Sequence, residues 1–349
     1  MRIAEVAPLT ESVPPRLYGG TERVVAYLTD ELVAMGHEVT LFASGDSQTT
    51  ARLEAVWPQA LRLDPAIRDW VAPHMLLMEK VRQHAAEFDV LHFHLDYWPA
   101  SLFARQPVPF ITTLHGRLDL AELGPVYAGL PPLNLISISD SQRAPRKTTP
   151  FLATIHHGLP PMLLTPRPVE PSYLAFLGRI CAEKRPDRAI RIARAAGLPL
   201  RIAAKVDRVD EAYFEAVIRP MLGPDTEFIG EINDAAKPEF LSGARALLMP
   251  IDWPEPFGLV MIEAMACGTP VIAYDHGSVP EIIEHGLTGF IVDDESAAVA
   301  AVHRIDRLSR SAIRAEFERR FTARRMAEDY LQVCESLVER RLRRLSLVG

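Results

Sequence analysis

Hydrophobic and polar positions along this chain follow two alternating periods. Short apolar, β-branched runs give way to stretches in which apolar residues recur every third or fourth position. RIAEVAP at the start, HEVTLFAS after Gly36, then DVLHFH, PFITTLH and NLISIS predict strands. Between the first two, Val24, Val25, Leu28 and Leu32 fall on one face of a predicted helix that Gly36 ends. Near residue 160 the pattern breaks in the proline-rich HHGLPPMLLTPRPVEP and then restarts. YLAFLGR, LRIAAKV, EFIGEI, ALLMPI, TPVIAYD and GFIVD predict further strands, with a helix opening at Pro186 and ending near Gly197. Alternating strands and helices predict α/β layering with parallel sheets. Its repetition predicts two Rossmann-like domains facing across a cleft, with ligands outside the carboxyl ends of the strands. The expected bounds are 1–160 and 161–320, then a helical tail at 321–349. Amphipathic helices from about Ser296 to Arg344 are expected to cover part of the crevice and to cross back to the N-terminal domain.

Composition narrows this picture. A length of 349 residues suits two domains, and 48% hydrophobic with 24% charged residues is ordinary for a globular protein. No run of uninterrupted apolar residues is long enough to cross a membrane, and MRIAEVAPL is too short and too acidic for a signal peptide. Cys181, Cys267 and Cys334 are widely spaced with no CxxC, which predicts buried free thiols in a reducing, cytoplasmic setting. A net charge of −7 argues against nucleic acid as a partner. Basic residues concentrate at 319–325 and 339–347. They are a candidate for peripheral contact with anionic lipid at the inner face of the membrane; a solvated helix face is the competing reading.

The most informative stretch is WPEPFGLVMIEAMACGTPVIA, from Trp253 to Ala273. It reads as a loop carrying Glu255, a helix starting at Pro256 and Gly258, and a strand after Gly268. Gly258 lets a ligand approach the backbone, and the N–H groups of Phe257, Gly258 and Leu259 with the helix dipole favour a phosphate. Glu263 leans back toward the same ligand, where hydroxyls are its expected partners. An anion cradle flanked by two carboxylates suits a sugar nucleotide.

Other candidates gain weight beside it. Arg179 and Lys184, in FLGRICAEKRP, follow a predicted strand and are placed to neutralise a diphosphate without a metal. Gly19 and Gly20, in YGGTER, sit at the phosphate-facing turn of the first half, although the dinucleotide fingerprint GxGxxG is missing. His115 closes the strand FITTLH. His92, His94 and Asp96 would share one face of an extended strand, as a metal requires. No second ligand cluster and no Asp-x-Asp accompany them, so no metal is expected. A GxSxG elbow and a Walker loop are both missing.

Together these residues resemble the retaining glycosyltransferases of family 4 (glycosyl transferases group 1), with the two-domain GT-B fold. The resemblance runs over nearly the whole chain and is most specific in EPFGLVMIEAMACGTPVIA and GSVPEIIEHGLTGFIV. It implies transfer of a hexosyl group from a UDP-glucose or GDP-mannose type donor to an acceptor hydroxyl, with retention and no cofactor or metal. Arg179 and Lys184 would hold the diphosphate, Glu263 the ribose, and Phe257, Gly258 and Leu259 sugar or phosphate. His115 and Glu255 would act beside the transferred sugar, and Gly19 and Gly20 would line the diphosphate and acceptor side. The acceptor would be a carbohydrate, a lipid-linked or a small molecule. Arg185 departs from the glycine that often follows the lysine, and AAKVDRVD replaces a glycine-containing turn. A nucleotide-sugar 2-epimerase and a non-catalytic sugar-nucleotide binder are the alternatives; both fit the architecture, neither fits the EPFG helix with paired cations as well.

Overall fold

A computed structural model describes residues 1–16 and 19–346. Tyr18 of the glycine loop and Leu347 of the basic run therefore lie outside the described residues. The chain forms two compact units, one of Met1–Gly158 with Ala323–Gly349 and one of Leu159–Thr322. The last segment thus groups with the first unit.

The first unit is built on a seven-stranded sheet: β1 (Arg2–Val6), β2 (Glu38–Ser44), β3 (Arg52–Trp57), β4 (Val90–Phe93), β5 (Phe110–Thr113), β6 (Leu135–Ser137) and β7 (Phe151–Thr154). Their order is β3-β2-β1-β4-β5-β6-β7, and all pairings are parallel. Helix α1 (Gly20–Ala34) buries Val24, Val25, Leu28 and Leu32, the face its sequence spacing sets. Parallel strands covered on both faces are usually apolar throughout, yet Glu5, His92, Thr113 and Ser137 are all buried in this sheet, with His94 buried just after β4.

The second unit holds β8 (Tyr173–Ile180), β9 (Leu200–Val206), β10 (Thr226–Gly230), β11 (Ala244–Met249), β12 (Val271–Tyr274) and β13 (Gly289–Val292). Their order β10-β9-β8-β11-β12-β13 is the doubly wound order, again parallel throughout. Helices α2 (Pro186–Ala195), α3 (Lys237–Ser242) and α4 (Leu259–Ala266) belong to this unit. Because the strands run the same way, their carboxyl ends and the loops after them lie along one edge.

Helix α5 (Ala323–Ser346) packs on α1 in the first unit and lays Tyr330, fully buried, over the polar stripe of the sheet. Its basic residues pair one turn apart, Arg324 with Glu328 at 2.9 Å, Arg325 with Asp329 at 2.6 Å and Arg343 with Glu339 at 3.6 Å. Among the described residues no helix is long and apolar enough to cross a membrane. Cys181, Cys267 and Cys334 are buried and unpaired.

Candidate active site

The expected site residues divide between the units. Arg179, Lys184, Glu255, Phe257, Gly258, Leu259 and Glu263 are in the second, and Gly19, Gly20 and His115 are in the first.

In the second unit three charged groups form beside the carboxyl edge. Lys184, in the loop after β8, makes an ion pair with Glu255 and lies 4.7 Å from the centre of the Trp253 ring. Trp253 Nε1 donates to the same Glu255 oxygen at 3.0 Å. Arg179, at the end of β8, faces Asp207 at 3.6 Å and Asp210 at 3.4 Å, in the loop after β9. Lys205, its register partner on β9, pairs with Asp207 at 2.9 Å. Glu263, buried in α4, takes 2.6 Å from the ammonium of Lys237 at the start of α3, which also meets Asp234 at 3.0 Å. The carboxylate expected to face hydroxyls thus keeps one oxygen on a lysine.

Helix α4 starts at Leu259 with no side-chain cap, so its first turn keeps an open, positive end. Gly258 at the cap has φ +77°, a left-handed conformation that a side chain resists. The loop after β12 clamps this turn from outside. Ser278 N–H donates to the Glu255 carbonyl at 2.9 Å and Ser278 Oγ donates to the Phe257 carbonyl at 2.8 Å. Gly277, with φ +61°, lies so close that a Cβ would stand 2.2 Å from the Glu255 nitrogen. Gly277→Ala is therefore expected to push the Glu255 loop out of place. Positive φ alone costs about 1–3 kcal/mol, and Gly286→Ala, with φ +85° and open space around it, carries that cost only. Urea melts should show Gly277→Ala clearly the less stable of the two.

Arg185 adopts φ +53°, which explains why a glycine suits this place. Its guanidinium offsets the strain by gripping Asp187 at 2.9 Å through two nitrogens and Asp252 at 2.9 Å. It faces those carboxylates.

In the first unit Gly19 and Gly20 open α1, again without a side-chain cap. His115 follows β5, and its Nε2 lies 2.8 Å from His94 Nδ1. Burial, with the neighbouring histidines, drives its pKa far down, so the ring is neutral. The expected row of His92, His94 and Asp96 does not form. Strand β4 ends at Phe93, and Asp96 turns away from extended geometry with φ +46°. Glu5, opposite His92 on β1, takes its place, with Oε1 3.1 Å from His92 Nδ1 and Oε2 2.8 Å from His94 Nε2. These three ligand atoms lie within 4.8 Å of one another. Each is already committed to a hydrogen bond within the trio, so a cation would have to displace all of them.

Sequence reasoning missed Lys237, Ser278 and Gly277 as partners, and it missed Glu5. Only Glu5 carried a signal: an acid in the middle of an otherwise apolar strand.

The profile of the glycosyl transferases group 1 matches residues 165–325, and that of glycosyltransferase family 4 matches residues 18–146. The chain belongs to glycosyltransferase family 4. This glycosyltransferase is 27% identical to the phosphatidyl-myo-inositol mannosyltransferase of Mycolicibacterium smegmatis, over 93% of its own chain and 89% of that protein. Among solved structures it is similar to AviGT4, a glycosyltransferase involved in avilamycin A biosynthesis, with 24% identity, a TM-score of 0.77 and 97% and 98% of the two chains covered. It is also similar to HepE of Anabaena in complex with UDP and glucose, with 19% identity, a TM-score of 0.71 and 97% and 100% covered. The two parallel sheets with their helices are the GT-B architecture.

Proposed function

We propose that this glycosyltransferase moves a hexosyl group from a nucleotide-diphosphate sugar, of the UDP-glucose or GDP-mannose type, to an acceptor hydroxyl with retention and without a metal. The second unit would bind the nucleotide and the first the acceptor, a carbohydrate, a lipid-linked or a small molecule. The observation that carries this reading is the Lys184–Glu255–Trp253 group beside the uncapped start of α4. A departing diphosphate gathers negative charge as the glycosidic bond breaks. A fixed ammonium, the Arg179 guanidinium and the first-turn N–H groups meet that charge without rearranging, which lowers the barrier. Each cation rests on a carboxylate, and the diphosphate would take over part of that role. Glu263, steadied by Lys237, would offer its second oxygen to the ribose hydroxyls.

A thermal-shift screen of UDP-, GDP- and ADP-sugars tests the reading. One base series is expected to stabilise the protein by about 2.7 kcal/mol at a hundredfold excess over Kd. The anomeric configuration of the product, followed by NMR with and without EDTA, tests retention and metal independence. If no nucleotide sugar raised the melting temperature, the assignment of the donor site would fall.

A further inference from the structure

The buried polar stripe of the first unit has a hydrogen-bond order that proton counting resolves. Burial alone pushes the Glu5 carboxyl up, but the charge and hydrogen bonds of His92 and His94 outweigh it and hold it at about 2. Glu5 is thus a carboxylate and can only accept. Burial, aided by His92 and opposed by Glu5, lowers His94 to about 4, so its ring carries one proton. That proton must sit on Nε2, which lies 2.8 Å from Glu5 Oε2. His94 Nδ1 is then a bare lone pair, and the 2.8 Å contact to His115 Nε2 requires His115 to donate. His115 is neutral, so its single proton is spent there. Its Nδ1 is left as an acceptor, and among the described residues that atom is buried with no hydrogen-bond partner. A buried polar atom without a partner asks for one, and here only a donor will serve.

We infer that Glu5, acting through His94, fixes His115 in the tautomer with a protonated Nε2, so that Nδ1 is an acceptor kept for a hydroxyl of the donor sugar. Glu5 and His94 are positioning residues in this scheme. The ligand class follows from the lone pair: a neutral hydroxyl fits, whereas a phosphate or carboxylate oxygen would be repelled. The role as hydroxyl acceptor rests on His115 lying beside the transferred sugar, but the tautomer does not. The other groups around the stripe are His92 on β4, Thr113 at 2.8 Å from His92 Nε2, Tyr330 of α5 at 2.9 Å from Thr113, and His157, whose ring stacks on His115 at 5.2 Å. Arg325 of α5 bonds the His157 carbonyl at 3.1 Å, and Cys334 of the same helix is buried near Glu5.

Long-range proton–nitrogen correlation spectra of histidine-labelled protein test this directly, with His115→Gln to assign the ring. The wild type is expected to show His115 protonated at Nε2 and bare at Nδ1 at neutral pH. A protonated Nδ1, an imidazolium, or a bound metal ion at Glu5, His92 and His94 would overturn the inference without any variant. Glu5→Gln replaces two acceptor oxygens by one acceptor and one donor, so His115 should lose its single tautomer and show both. A panel of monodeoxy donors provides the kinetic arm. One position should lose about tenfold in kcat/KM with the wild type, roughly the 1.4 kcal/mol equivalent of a hydrogen bond, and clearly less in Glu5→Gln. If the wild type transfers sugar but no position couples to Glu5, the inference fails alone. If no donor turns over, the function proposed above fails and the spectra still decide the tautomer.

Discussion

Lys184→Met is expected to lower kcat/KM for sugar transfer by about 10²–10³, the scale of removing one preorganised charge donor from a transition state. Two effects of the substitution have to be separated. Methionine keeps much of the stem over Trp253 but removes the ammonium that would meet the diphosphate. It also strands Glu255, a buried carboxylate that keeps the Trp253 N–H at 3.0 Å but loses its cation. Breaking such a pair from one side costs about 3–5 kcal/mol when it is fully buried, and less here because the lysine is partly exposed. The double variant Lys184→Met with Glu255→Gln removes the stranded charge. Its urea midpoint should return toward that of the wild type, while transfer stays slow. Should the double variant recover both stability and turnover, the ammonium would be only a structural counter-ion for Glu255.

Acid is the second large lever. The first unit is expected to lose stability steadily as pH falls below 6.5, well before ordinary carboxylates titrate. Burial, with His92, lowers His94 to about 4, and burial with His94 and Arg325 lowers His157 to about 3; burial with the neighbouring histidines also holds His115 well below its ordinary 6.5. Between 6.5 and these values the unfolded chain binds protons that the folded one refuses. Stability therefore rises with pH in that window and falls as it is acidified. His94 alone accounts for a loss on the order of 3 kcal/mol by pH 4. Glu5 acts in the same direction lower down, stabilising above 4.5 and ceasing to do so as pH falls toward about 2. Melting curves between pH 7.5 and 4 check this, with His157→Gln expected to flatten the profile. A melting temperature indifferent to pH across that range would contradict the neutral, buried assignment of these rings.

Much of the architecture was legible because the central sheet-forming runs are apolar enough to stand out. The strands that escaped notice, β3 and β7, are the two edges of the first sheet, and their half-exposed RLEAVW and FLAT carry a diluted signal. In the second unit the chemistry sits in one contiguous stretch, so Glu255, Gly258 and Glu263 could be picked out together. Their partners could not. Lys237 reaches Glu263 from another helix, and a lysine opening a helix is unremarkable in sequence. The link from Glu5 to His94 spans 89 positions, and only sheet register brings the two side by side. The shared face of His92, His94 and Asp96 failed for a local reason. A strict period of two holds only while the backbone stays extended; it carries through His94 and is broken at Asp96, with φ +46°.

The chain leaves its first unit after Gly158 and returns to it only at Ala323, and this orders events during synthesis. The seven-stranded half emerges from the ribosome before the second unit, yet Tyr330, which covers His92 and bonds Thr113, is translated only after that unit. Until then the buried glutamate and its histidines lack their lid, so the half made first is the half finished second. A nascent chain therefore seals the second unit while the earlier one waits, still wet, for its closing helix.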